Sequence, residues 1–260
     1  RFLAAQEITL DGRRQKLFGG IWAIFGHGNV AGLGQALDQY NDLLPFVQGR
    51  NEQGLVHAAV GFAKAQNRKQ TLAVTASIGP GAMNMVTPAA LATINRIPVL
   101  LLPGDSYTTR RQGPVLQQLE HPLGPDISVN DAFRPISRYF DRITRPEQLL
   151  YSLPAAFRVL ANPVETGAVV ISLPQDLQSH AFDFPAEFFE ERIWRIRRPE
   201  PARDDIAAVA ALIKSAKKPV IIAGGGVIYS EARAELEALA NATGIPVAET
   251  FGRSEEHTSE

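Results

Sequence analysis

Short apolar runs rich in β-branched residues alternate along this chain with longer stretches of helical periodicity. That alternation predicts parallel strands wrapped by helices. Ile21-Trp22-Ala23-Ile24-Phe25 reads as a strand ending in the turn Gly26-His27-Gly28-Asn29, before a helix running to Tyr40. Pro45-Phe46-Val47 is a short second strand, followed by a helix from Asn51 to Asn67. Thr71–Thr75 predicts a third strand, broken at Gly79-Pro80-Gly81 before a helix to Asn95. Val99–Leu102 is apolar throughout, the mark of a strand covered on both faces. After a less regular stretch come a helix over Pro146–Leu160 and a strand over Ala168–Leu173. These units predict one α/β domain over residues 1–181, a parallel sheet flanked by helices.

The stretch Phe182–Arg203 sets Pro185, Pro199 and Pro201 among mixed charges, which predicts an interdomain linker. Beyond it the alternation restarts over 204–252. A helix spans Asp204–Ser215, a strand Pro219–Ala223, a helix Glu231–Thr243 and a strand Pro246–Ala248. Two βα units are too few to close a core, so this reads as the start of a second, Rossmann-like α/β domain. Arg1–Gln6, without an initial Met, reads as the last turns of a helix whose start is missing. Arg253–Glu260 has no apolar residue and matches the translation of a common DNA-sequencing adapter, so it is expected to be an artefact.

Composition narrows the classes. A formal net charge of -1 gives no reason to expect nucleic acid or a membrane surface as partner. Cysteine is absent, which rules out disulfides and thiolate metal sites and accords with a cytoplasmic setting. No apolar run approaches the roughly 20 residues of a membrane span, and no leader opens the chain.

Chemistry concentrates in Asn51-Glu52-Gln53-Gly54-Leu55-Val56-His57-Ala58-Ala59-Val60-Gly61-Phe62-Ala63. Small residues at 54, 58, 59, 61 and 63 thin this helix, permitting close approach of another helix or a ligand. Glu52 falls in the first turn after a strand and loop, where α/β sheets place binding groups. The plainer account of the same position is an acid favouring the helix dipole behind an Asn51 cap.

Together with Thr75-Ala76-Ser77-Ile78-Gly79-Pro80-Gly81-Ala82-Met83-Asn84, this segment resembles the pyrimidine-binding domain of the acetolactate-synthase-like thiamine-diphosphate enzymes. Gly224-Gly225-Gly226 after a strand resembles the start of their central domain. The resemblance covers essentially all of 1–252. It implies that Glu52 hydrogen-bonds N1′ of the aminopyrimidine, favouring the tautomer whose 4′-nitrogen removes the thiazolium C2 proton. It also implies a cofactor site shared between subunits of a homodimer or higher homo-oligomer.

Phe18–Val30, Pro114–Gln118 and Ser128–Pro135 resemble one branch, the hydrolases that open a cyclic 1,2-diketone in inositol breakdown. Where acetolactate synthases carry an aromatic-Pro-Gly sequence, this chain has His27-Gly28-Asn29. His27 or Asn29 is therefore a candidate to orient substrate hydroxyls or relay a proton; the bland account is a satisfied turn. Gln117 matches a family glutamine near the cofactor, whereas His57 reads as a packed helix residue and Arg110-Arg111 and Arg197-Arg198 as solvated charges.

The family's diphosphate motif, Gly-Asp-Gly followed further on by Asn, is not found. Gly104-Asp105-Ser106 falls too early and ends in Ser. The Mg²⁺ ligands are therefore expected outside this chain, which alone should neither bind thiamine diphosphate tightly nor turn over a small-molecule substrate. Three alternatives stay open: an acetolactate-synthase-type carboligase, a nucleotide-binding oxidoreductase domain and a non-catalytic scaffold. The second is weakened because Tyr229 stands where the third glycine of the dinucleotide fingerprint belongs.

Overall fold

The computed structural model describes residues 1–109, 113, 115–121, 124 and 127–250. Arg110, Arg111, Pro114 and the adapter-like tail Arg253–Glu260 lie outside them. The strands are β1 (Gln6–Leu10), β2 (Arg13–Lys16), β3 (Phe18–Ala23), β4 (Phe46–Gln48), β5 (Thr71–Ala76), β6 (Val99–Asp105), β7 (Tyr139–Arg142), β8 (Ala168–Pro174), β9 (Arg192–Arg195), β10 (Ile221–Ala223) and β11 (Val247–Glu249). The helices are α1 (Gln35–Gln39), α2 (Glu52–Ala65), α3 (Pro80–Met83), α4 (Val86–Ile94), α5 (Leu149–Leu160), α6 (Arg203–Ser215), α7 (Gly225–Tyr229) and α8 (Arg233–Thr243).

Six strands form the expected parallel sheet, in the order β4-β3-β5-β6-β8-β7. Every residue of β5 and of β6 is buried, as a sheet covered on both faces requires. Leu100, Leu102, Val169 and Ile171 join Leu153, Ala156, Phe157 and Leu160 of α5 in one apolar core. By strand alternation the neighbouring residues Val99, Leu101 and Val170 point to the opposite face, where α2 and α4 pack. β7 is an edge strand that the pattern did not reveal, because Tyr139-Phe140-Asp141-Arg142 carries no apolar run.

The amino-terminal helix reading is corrected: only Leu3–Ala5 forms a helical turn, and Gln6 opens β1. β1 pairs antiparallel with β2 and parallel with β9, making a small second sheet. The linker reading of Phe182–Arg203 is also corrected for its first part. The first compact unit runs through Ile196. Phe188 is buried and stacks on Phe2 and Phe184, while the Trp194 indole donates to Gln6 Oε1 at 2.9 Å. Prolines and charges gave this stretch a linker's composition, but its aromatic residues bury enough surface to fix it.

The second unit begins at Arg197. In it β10 and β11 pair in parallel, with α6, α7 and α8 as the helices between and around them. Arg198, expected to be solvated, donates to the Tyr229 carbonyl at 2.7 Å.

Candidate functional site

The candidate residues gather beyond the carboxyl ends of the parallel strands, where such sheets bind ligands. Asn51, in an extended conformation, caps α2 by accepting from the Gly54 N–H at 2.8 Å. The cap starts the helix one residue later, so Glu52 is its first residue and stays partly exposed. Asn84, just past α3, donates from Nδ2 to Glu52 Oε2 at 2.9 Å. Among the described residues, Glu52 Oε1 accepts no hydrogen bond. One carboxylate oxygen is fixed by Asn84, and the other lies beside Gly81, where a Cβ would come within 3.2 Å of it.

The turn after β5 brings the remaining pieces together. Ile78 N–H donates to the His27 carbonyl at 3.1 Å. Gly79 has a φ of 59°, and a Cβ there would lie 2.0 Å from the Gln117 carbonyl oxygen. Pro80 then starts α3, which leads to Asn84. The single segment Ser77–Asn84 thus touches the His27 loop, the Gln117 backbone and the Glu52 carboxylate. Sequence reading matched this segment to a family but assigned no role to Asn84. Its signal, an amide one residue past a Gly-Pro-Gly turn and helix, has meaning only once the two helices are placed.

The structure separates the two loop candidates. His27 is partly buried, and its Nε2 is buried without a hydrogen-bond partner among the described residues. Asn29 is 2% exposed and its amide is occupied: Oδ1 accepts from Gly26 N–H at 2.9 Å, and Nδ2 donates to Ile24 O and Thr75 Oγ1. Asn29 clamps its own turn, with both hydrogens of its amide committed to protein acceptors. Gln117 is exposed, in the left-handed region at φ 65°, and contributes its backbone to the packing at Gly79. His57, expected to be packed, is exposed on α2. Of the small residues of α2, Ala59 and Ala63 are buried, whereas Gly54 and Gly61 are exposed.

Asp105, at the end of β6, lies at the centre of a buried polar network. Its Oδ1 accepts from Ser106 N–H at 2.7 Å and from Ser128 Oγ; Oδ2 accepts from Ser172 Oγ. Arg142 Nε stands 3.1 Å from Oδ2, and its Nη2 donates to Ser106 Oγ at 2.9 Å. Asn130 ties in through Nδ2, which donates to Gly104 O and Ser172 Oγ at 2.8 Å each. This carboxylate is spent on structure. Among the described residues no three His, Asp or Glu side chains converge as a metal site.

The Glu52 carboxylate fits a heterocyclic cofactor, because an oxygen that accepts no hydrogen bond among the described residues can meet a ring nitrogen. Residues 23–126 match the N-terminal TPP binding domain of thiamine pyrophosphate enzymes, and residues 206–256 match the central domain of the same enzymes. The chain belongs to the thiamine pyrophosphate enzyme family. Within it the chain is 54% identical, over 96% of its length, to a 3D-(3,5/4)-trihydroxycyclohexane-1,2-dione hydrolase of Geobacillus thermodenitrificans. It is 53% identical to the protein of the same name in Clostridium botulinum, and 54% identical to trihydroxycyclohexane-1,2-dione hydrolase 1 of Bacillus cereus. In all three cases it spans 39% of the relative's length.

Proposed function

We propose that this chain is part of a thiamine-diphosphate-dependent hydrolase that opens the ring of trihydroxycyclohexane-1,2-dione to 5-deoxy-glucuronate in inositol breakdown. The observation that carries the reading is the Glu52 carboxylate, gripped on one oxygen by Asn84 and, among the described residues, accepting no hydrogen bond on the other. The identity of 54% to proteins bearing the hydrolase name supports the substrate class. Thiamine diphosphate, when bound, supplies the carbon nucleophile and electron sink needed to break a C–C bond beside a carbonyl. Glu52 would hold a proton at the pyrimidine N1′ position, with Asn84 fixing the orientation of the carboxylate. His27, whose Nε2 has no hydrogen-bond partner among the described residues, would hydrogen-bond a substrate oxygen and pass it a proton. Gln117 would border the cofactor through the backbone it packs on Gly79, and Asn29 holds the His27 turn.

Further parts of the reading concern the whole protein. The Mg²⁺ ligands for the diphosphate belong to sequence outside this chain, the assembly is a homo-oligomer, and the setting is cytoplasmic. No helix among the described residues is long and apolar enough to cross a membrane, and the cysteine-free composition accords with a reducing compartment. The isolated chain should neither hold the cofactor tightly nor turn over substrate.

The test is to assay the full-length protein, with cofactor and magnesium, against the diketone and against pyruvate. Diketone hydrolysis without carboligation is the expected result. Consumption of pyruvate with the diketone untouched would replace this reading with a carboligase of the acetolactate-synthase type. Glu52→Gln should lower kcat by about 10²- to 10⁴-fold, the usual weight of a positioned acid or base. Unchanged turnover by that variant would end the proposed role of Glu52.

A further inference from the structure

Gln178 lies on the helical turn Leu177–Ser179 that follows β8, far along the chain from the His27 loop. Its side-chain amide is engaged through both the nitrogen and the oxygen. Nε2 donates to the Gly28 carbonyl and, at 2.9 Å, to the Leu173 carbonyl, while Oε1 accepts from Leu33 N–H at 3.3 Å. One planar group therefore ties together the end of β8, the turn after β3 and the segment Val30–Gly34. That last segment is a π turn running into α1. Such turns are rare and often mark functional positions. It closes on the amide because residue 32 is glycine; a Cβ there would fall 2.5 Å from Gln178 Cβ.

The opposite side of the loop is held as firmly. Ile78 N–H donates to His27 O, and the Ile78 Cγ2 methyl fills the space a Cβ at Gly28 would need, 2.2 Å away. Gly28 has a φ of 101°, which a side chain would resist. The His27–Gly28 peptide is thus clamped between Ile78 and Gln178, and the imidazole it carries keeps a buried Nε2 with no hydrogen-bond partner among the described residues. An unsatisfied buried nitrogen is costly, so a loop released from the clamp would turn it toward water.

We infer that Gln178 is the positioning residue for the His27 imidazole: its amide holds the loop in the register that keeps Nε2 sheltered and unpartnered. The catalytic part of this inference rests on the reading of His27 as a substrate-facing group; the positional part does not.

The experiment uses the full-length protein with thiamine diphosphate and magnesium. Gln178→Met keeps the volume and removes the three hydrogen bonds, and Gln178→Leu serves if the first variant does not fold. Diethyl pyrocarbonate modification of His27, followed by peptide mass spectrometry, should accelerate several-fold in the variant, while the exposed His57 reacts at its original rate. Turnover should fall about 10- to 100-fold, the scale of an ångström-level misplacement, with KM little changed. Combining the variant with His27→Ala should cost nothing beyond His27→Ala alone. An unchanged modification rate at His27 in a folded variant overturns the inference, as does an equal loss of turnover with and without His27. Wild-type turnover by His27→Ala would instead remove His27 from the reaction, and the modification rates would still decide what Gln178 positions.

Discussion

Asn84 donates a 2.9 Å hydrogen bond to Glu52 across 32 residues of sequence, joining the end of one helix to the start of another. The bond holds the carboxylate at one oxygen and fixes the direction of the other. Asn84→Ala should therefore lower kcat/KM of the full-length protein about tenfold, the low end for a hydrogen bond to a charged group at a partly exposed site. Asn84→Asp, which sets two carboxylates together, should cost more. Steady-state kinetics at saturating cofactor read both, and a smaller loss in Asn84→Asp would contradict the assigned contact.

The turn that carries Asn84 depends on Gly79. Gly79→Ala forces a side chain into a left-handed conformation and drives a Cβ against the Gln117 carbonyl, a backbone group with no flexible end to yield. Strain of this kind costs about 1–3 kcal/mol before the clash is counted. Thermal unfolding should show it as a fall of about 2–4 °C per kcal/mol. An unshifted midpoint would mean the turn is looser than described.

Asp176 links the end of β8 to the residues after β6. Burial pushes its carboxyl upward, but hydrogen bonds from the Thr109 hydroxyl and from the Thr109, Thr108 and Leu177 N–H groups outweigh it and hold the pKa below the usual value. A depressed folded-state pKa means the unfolded chain binds more protons between the two values, so stability rises with pH across that window. The contribution is complete above about pH 3.9, the unfolded value, and is lost as pH falls through the lower folded value. Urea midpoints measured from about pH 5 to well below about pH 3.9 should drop less steeply for Asp176→Asn than for the unaltered protein. Parallel slopes would rule out the linkage.

Phe188 tests the corrected domain boundary. Its ring is 8% exposed and packs between Phe2, Phe184 and Phe189. Phe188→Ala should destabilise the first unit by about 3–5 kcal/mol, as removal of a buried aromatic does. A linker residue would cost almost nothing, so a denaturation midpoint close to the unaltered one would restore the linker reading.

Periodicity alone determined the parallel sheet, the places of α2, α5, α6 and α8, and the restart of the pattern after residue 203. These features rest on local rules: strands buried on both faces are apolar throughout, and helices repeat their apolar positions every three or four residues. The small sheet of β1, β2 and β9 was not legible, because β2 and β9 are rich in basic residues and the closing partner of β1 arrives some 180 residues after it opens. For the site, sequence marked Glu52 and the Gly-Pro-Gly turn but treated His27 and Asn29 alike. Tertiary structure parted them: Thr75 on the neighbouring strand and the loop's own backbone engage the Asn29 amide, while the buried Nε2 of His27 has no hydrogen-bond partner among the described residues. The Asn84 grip on Glu52 and the Gln178 clamp on Gly28 belong to the same class. A hydrogen bond between distant side chains leaves no period or spacing in the sequence; it exists only where the fold brings donor and acceptor within 3 Å or so.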